Sequence, residues 1–336
     1  MTALDASSAP SRRVVPRWLT RPEIGLAAII AIMVAVFSSI APGFLSPFNA
    51  FAVARDLSVA IVLGYSMMVV LAVGGMNLAV GSIGVCAAMA TAGMQAAGVP
   101  MPISVILGLA SGAALGAVNG IVVVRTGLSS FMVTLATMSI YFGVMLLLSG
   151  AEAIRSLDAD FIAFGRARIF GTVPVMFVVS IGLALILTYF YRATDIGRQM
   201  LFTGSNPKAS ELSGVPVVRT VVVAHALSGL LAGLAGIMLT ARTGAGVPSM
   251  AGQIGRDWLL PAFIAPVLGG SALAGGSVAI LGTLLGATLV GVLGSGLRMV
   301  NIGDFWIELF LGIILLFAVL ADRLRSVWSP VSGTGP

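Results

Sequence analysis

Charge is the scarcest thing in this chain. Only 9% of its 336 residues are charged and 58% are hydrophobic, whereas an average soluble chain is about 25% charged. So few ionised groups cannot cover a soluble domain of this length, which excludes a soluble globular protein. There is one cysteine, Cys86, inside an apolar run. It cannot form an intrachain disulfide and reads as a small packing residue. The one histidine, His225, has no cluster of Cys, Asp or Glu near it in sequence, so no metal site is expected. Aromatic residues make up only 7%. The chain lacks a G-x-x-x-x-G-K-[ST] phosphate loop, a G-x-S-x-G elbow and paired membrane aspartates. Catalysis within the chain, and any cofactor, are therefore not expected. No Asp, Glu, Lys or Arg falls at the middle of an apolar run, Glu308 lying near the start of the last one. Proton relays and ion-coupled pumps normally keep such a group.

What the chain has in abundance is apolar runs broken by glycine. The fold class expected is all-α, a polytopic membrane protein of about ten transmembrane helices, near 24–41, 57–73, 78–97, 102–124, 130–149, 173–191, 220–241, 257–269, 277–297 and 305–321. The first run has 18 residues, longer than the apolar core of a signal peptide, and Pro42 follows where cleavage would occur, so it reads as a retained span. The segment 257–269 is short and carries Pro261 and Pro266, as in a broken or re-entrant helix.

The net charge of +6 would suggest nucleic acid in a soluble chain, but here the basic residues lie between apolar runs and none is expected as a partner. With both termini inside, the inner side holds eleven basic against five acidic residues, and the outer side seven of each. The whole surplus then falls on the cytoplasmic face, as the positive-inside rule requires. The domain organisation is a cytoplasmic tail 1–23, one transmembrane domain 24–321 and a cytoplasmic tail 322–336. Of the two long loops, the outer one, 150–172, reads as a small cap or interfacial helix, and the inner one is 192–219.

Glycines at 108, 112, 116 and 120 recur every four residues, a spacing that lets another helix approach backbone to backbone. Gly229 with Gly233, and Gly282 with Gly286, are shorter cases. A duplication is also present: GGMNLAVGS from Gly74 to Ser82 and GGSALAGGS from Gly269 to Ser277 share six of nine positions. Each copy interrupts apolar spans with backbone-permissive residues, as in transporters built from repeats with discontinuous helices. Uncharged polar residues in the spans include Asn77, Ser82, Asn119, Thr134 and Thr137. A hydroxyl in a span often bonds only its own helix. The two amides need partners, and an aqueous path would supply them.

In the inner loop, Asn206 suits a helix cap, Pro207 the first helical position, and Gly214 followed by Pro216 a stop. Ala209, Leu212 and Ser213 share one face of that short helix, fit for a groove in a partner protein; the residues equally allow an ordinary surface turn.

At this point the chain resembles the sugar-type membrane permeases of bacterial ABC importers, as in ribose and xylose systems. The likeness runs from the second span to Asp322. It rests on GGMNLAVGS, on AVNG ending at Gly120, on GRQMLFTGSNPKASELSGV from Gly197 to Val215, and on VLGGSALAGGS followed by GTLLGATLVGVL. The resemblance implies that the segment Asn206 to Gly214 is a coupling helix docking on an ATP-binding cassette ATPase subunit. Gly204, Asn206, Lys208, Ala209, Glu211, Leu212, Ser213 and Gly214 would then be the coupling residues. It also implies a second permease copy or paralogue, a periplasmic or extracellular solute-binding protein, and a place in the lipid of the bacterial inner membrane. The chain departs from the family's usual pattern at Asn77 and Ala79, at Asp257 and Trp258, and at Ser295. Those changes bear on the substrate and on whether the two permeases are identical. The expected function is permeation of a neutral sugar or polyol. The rival readings are an autonomous secondary carrier or facilitator, and a membrane-embedded enzyme.

Overall fold

The apolar runs need partners for every backbone amide once water is gone, and in lipid a helix supplies them within a single segment. A computed structural model of the chain, which describes residues 22–250, 252 and 256–328, is accordingly a bundle of helices. The spans run α1 (Pro22–Ile40), α2 (Pro47–Leu71), α3 (Val80–Ala96), α4 (Met101–Thr126) and α5 (Ser130–Ser149). A short helix α6 (Ala159–Arg166) and a hairpin of β1 (Arg168–Ile169) with β2 (Val173–Pro174) precede α7 (Val175–Ala193). Then follow α8 (Asp195–Ser205), α9 (Pro207–Leu212), α10 (Val217–Thr243), α11 (Arg256–Leu268), α12 (Ile280–Met299) and α13 (Asp304–Trp328). Seven helices have the length and apolarity to cross a membrane; the shorter apolar stretches Val80–Ala96, Asp257–Leu268 and Phe305–Leu320 occupy the other expected spans. Residues 1–21 and 329–336, which carry most of the two expected tails, lie outside the described residues.

Three boundaries differ from the expectation for local reasons. α2 starts at Pro47, well before 57, because Ser46 caps it by accepting from the Asn49 amide at 3.3 Å and Pro47 occupies its first turn. The inner loop holds a second helix, α8, started by Thr194, whose hydroxyl accepts from the Gly197 amide at 3.1 Å. The outer cap contains the expected short helix, α6, with a hairpin after it that the sequence did not announce.

Small residues decide the packing. α4 lies against α10 so closely that a methyl group on Gly116 would overlap the His225 carbonyl, and one on Gly229 would overlap the Gly112 carbonyl. Gly120 faces the Val222 backbone, and Gly236 of α10 meets the backbone of Gly84 in α3. In the second half of the chain Gly269 and Gly282 exclude each other's side chains in the same way, and Gly286 abuts the Ala265 carbonyl. Lipid tails provide no hydrophobic drive between helices, so this close van der Waals contact is what holds them. Around it α2 is almost wholly enclosed from Leu57 onward, with Ile61, Val62, Tyr65, Met67 and Met68 fully buried. α4, α5 and α7 turn Ile106, Leu147, Leu148 and Leu185 outward, as helices facing lipid do.

Replacing Gly229 by Leu drives a side chain into α4, an overpacking of about 1–3 kcal/mol. The yield of monodisperse protein in detergent size-exclusion chromatography is expected to fall about fivefold or more. Gly143→Leu, at a position with open space around it, is the control and changes that yield by less than about twofold.

Candidate functional site

The inner loop is built by local capping. Asn206 ends α8 and begins α9: its backbone N–H donates to the Phe202 carbonyl at 3.1 Å while its Oδ1 accepts from the Ala209 amide at 3.0 Å. Pro207 fills the first position of α9. At the other end Gly214 takes a φ of +82°, its N–H donates to the Glu211 carbonyl at 3.0 Å, and Val215 donates to the Ser210 carbonyl at 3.0 Å. That pair of bonds is a Schellman stop. Both ends of a six-residue helix that would be marginal alone are thus closed by its own sequence. Ser210 is its buried side; Lys208, Ala209, Glu211, Leu212 and Ser213 are exposed, Leu212 at 85%. Beside it lies a groove of about 460 Å³ bordered by Phe202, Ser205, Ala209 and Ser213.

The end of α8, which leads into α9, packs directly on the duplicated glycine segments. The Gly276 N–H donates to the Ala72 carbonyl at 3.1 Å, joining the end of α2 to the loop between α11 and α12. Gly204, in the last turn of α8, sits where a methyl group would overlap both partners of that bond. Gly275 packs on the Gly74 backbone and the Gly204 carbonyl, and Gly276 on Ser205. Gly74, Gly275 and Gly276 all have φ between +76° and +92°, a region that other L-residues rarely enter. The two copies of the repeat therefore meet each other and the residues just before α9 at one backbone junction.

The first copy is braced by side chains from two other helices. Ser130 and Thr134 of α5 accept from the amides of Met76 and Leu78 at 2.8 and 3.0 Å. Asn77 closes an Asx turn just ahead of α3, its Oδ1 accepting from the Ala79 amide at 3.1 Å, and its Nδ2 donates to Ser228 Oγ of α10 at 2.9 Å. Ser66 of α2 also reaches Ser228, at 3.0 Å to its hydroxyl and 2.8 Å to its carbonyl. Asn77, Ser82, Asn119 and Thr134 are fully buried and Thr137 nearly so.

Of the sequence-expected polar residues, Asn77 and Thr134 come together at this break, and Thr137 follows one turn along α5, its hydroxyl donating to the Thr134 carbonyl at 3.3 Å. Ser82 bonds its own helix at Ala79. Asn119 stands apart between α4 and α5, where its Oδ1 accepts from the Tyr141 hydroxyl at 2.7 Å while its Nδ2 has no partner. Ser66, Ser130 and Ser228 complete the brace. The first two went unremarked in the sequence because a serine at a helix start or mid-span looks like one bonded to its own backbone. Among the described residues no group of His, Cys, Asp and Glu could hold a metal ion.

Ser228→Ala would leave Asn77 Nδ2 without its buried partner, while Ser66 Oγ keeps its bond to the carbonyl of residue 228, a loss of about 1–3 kcal/mol. Thermal unfolding in detergent should show a clear drop, and Ser66→Ala added to Ser228→Ala should cost less than the sum of the two single changes.

A family model described as branched-chain amino acid transport system / permease component matches residues 49–319. The ribose import permease protein of Bacillus subtilis (strain 168) is 35% identical over 297 residues, 88% of this chain and 91% of that protein. The D-allose transport system permease protein of Escherichia coli (strain K12) is 34% identical over 306 residues, covering 90% and 92% of the two chains. The L-arabinose ABC transporter permease protein of Azospirillum brasilense is 30% identical over 321 residues, covering 96% and 93%. No solved structure matches at a significant level. A bundle of apolar helices, with two glycine-rich breaks meeting at one end and relatives that are permeases along nearly their whole length, leaves one assignment: the chain belongs to the family of transport-system permease components.

Proposed function

We propose that this chain is the membrane-spanning subunit of an ATP-driven importer for a neutral sugar or polyol, with the ATPase on a separate subunit. The observation that carries the reading is the attachment of α9. The helix presents Glu211 and Leu212 outward, and the last two residues of α8, Gly204 and Ser205, one cap residue ahead of it, are wedged against both glycine breaks. In this account α9 is the coupling helix of loop 192–219 in a single permease domain, 24–321, with cytoplasmic tails on either side. Gly204, Asn206, Lys208, Ala209, Ser213 and Gly214 shape or present it. Nucleotide-driven movement of the ATPase pushes α9, and the push reaches the ends of α2 and α11 and the starts of α3 and α12 together. Elements joined by packed backbone move as rigid bodies, so access alternates between the two sides.

The cargo follows from the polar groups available. Every buried polar side chain among the described residues is Ser, Thr, Asn, Gln, His or Tyr, with no carboxylate, ammonium or guanidinium to meet an ion or an amino acid zwitterion. Hydroxyl and amide groups suit a polyhydroxylated neutral solute, whose hydrogen bonds are made and released along the way. We assign Asn77, Ser82, Asn119, Thr134 and Thr137 to the surfaces that part when the first break moves, so that their hydrogen bonds pass in turn to solute and water. The family model's description names branched-chain amino acids, whereas the relatives at 30–35% identity are named for ribose, allose and arabinose; the uncharged interior favours the sugars. The same scarcity of buried charge leaves no device for ion coupling and favours an external source of energy. The complete assembly contains two permease subunits, identical or paralogous, two ATPase modules and a solute-binding protein on the outer face of the bacterial inner membrane, with both permease termini cytoplasmic.

Glu211→Lys combined with Leu212→Arg removes the apolar contact and reverses the charge that α9 offers. ATP-dependent uptake into cells is expected to drop by about tenfold or more, the size of losing an interface anchor, while the amount of inserted permease stays constant on an immunoblot of membranes. Undiminished uptake would remove α9 from the coupling role.

A further inference from the structure

At the end of the bundle opposite α9, four arginines gather round one carboxylate. Arg242, in the last turn of α10, bridges Asp56 of α2 at 2.5 Å. The guanidinium carbons of Arg168, in β1, and Arg55, on α2, lie 3.9 and 5.7 Å from the centre of the buried Phe51 ring, within cation–π range. Arg166, at the end of α6, donates from Nε to the Arg242 carbonyl at 3.4 Å. Arg55 has the charges of the other three arginines and of Asp56 around it, and its Nε is buried without a partner. Bringing like charges together is unfavourable unless something opposite completes them, and Asp56 alone leaves the group strongly positive. The acidic residues of the outer cap lie elsewhere, Asp158 and Asp160 being in the opening turn of α6, whose last turn holds Arg166. The cluster is thus a local pole of positive charge, fixed by stacking and hydrogen bonds.

Its position identifies the ligand. α2 and α10 are among the most enclosed of the long helices, with 72% and 61% of their apolar windows buried, so the cluster caps the middle of the bundle rather than its lipid-facing rim. A water-borne partner reaches that place more readily than a phospholipid headgroup does. We propose that the cluster Arg55, Arg166, Arg168 and Arg242 is the docking site for a carboxylate-rich patch on the solute-binding protein, a location that rests on the importer reading above. Guanidinium groups held in fixed orientation pair with carboxylates bidentately, and a concentrated positive pole both speeds encounter and fixes the orientation of docking. An incoming carboxylate also competes with Asp56 for Arg242. That exchange takes place on α2 and α10, the helices whose other ends lie at the glycine junction, through Ala72, and immediately after α9, at Val217. Arrival of the loaded binding protein is therefore felt at the coupling helix through two stiff helices.

The test uses the full complex of permease, ATPase and solute-binding protein in lipid nanodiscs, with ATPase rate measured as binding protein is titrated. In the wild type the half-maximal concentration rises with ionic strength. Arg166→Glu with Arg168→Glu raises it about tenfold or more at low salt and flattens the salt dependence. Arg166→Gln alone, at an exposed position, gives a smaller shift in the same direction and serves if the double variant misfolds. Asp56→Asn, which frees Arg242, lowers the half-maximal concentration. Identical titrations for wild type and the arginine variants overturn the proposal. A half-maximal concentration that responds to phosphatidylglycerol content and not to the arginine variants assigns the cluster to lipid and overturns it equally. A wild-type complex whose ATPase ignores the binding protein altogether contradicts the importer reading itself.

Discussion

Everything in this molecule depends on helices touching through their backbones. In lipid no water is released when two apolar helices meet, so the strength of contact comes from how many atoms approach closely. α4 and α10 reach that limit along Gly112, Gly116 and Gly229, and α11 and α12 do the same at Gly269, Gly282 and Gly286. A side chain at any of these positions would separate the pair. The contact fixes α10 relative to α4 and α3, and α10 in turn supplies Ser228, which holds Asn77 and hence the first helix break. Glycine content of about an eighth is thus the condition for both the bundle and its hinge points.

The same constraint underlies the proposed coupling between the two faces. Gly204, Gly74, Gly275 and Gly276 press together through their backbones, with the short Ser205 side chain against Gly276, so little at this junction can rearrange to absorb a displacement. In the proposed coupling, movement of α8 and α9 is passed on rather than lost. α2 and α10 continue that connection across the bundle to the arginine cluster at the far end. Seventeen residues separate Arg55 from Ala72, about 25 Å of helix. Under the proposal, the two ends are linked by this length of helix, with no buried charge between them among the described residues.

Much of this was legible in the sequence, where the signals are local or periodic. The glycine stripe at 108–120 announced a close helix contact because a four-residue period can serve little else. α9 was legible because Asn206, Pro207 and Gly214 are each the residue its capping position demands. Other features were hidden because they are made by residues distant in the chain. The repeat at Gly74 and Gly269 was visible as a duplication, but nothing in it said that the copies touch, or that Gly204 sits between them. Asn77 and Asn119 were expected along an aqueous path; in the structure both are buried, Asn77 satisfied by Ser228 and Ala79, Asn119 bonded to Tyr141. A buried amide looks the same in sequence whether it faces water or another side chain. The arginine cluster draws on α2, α6, β1 and α10, and only folding brings it together.

Among the described residues no buried side chain is a carboxylate, ammonium or guanidinium, which under the proposed function suits a neutral solute and transport driven from a partner subunit. The direct test is uptake of radiolabelled ribose, allose and arabinose by proteoliposomes holding the purified permease with its ATPase, with binding protein outside and ATP inside. The account predicts that accumulation of at least one such sugar appears only when ATP, ATPase and binding protein are all present. Equilibration of sugar by the permease alone, at the rate of the complete system, would make the chain a facilitator and contradict the account.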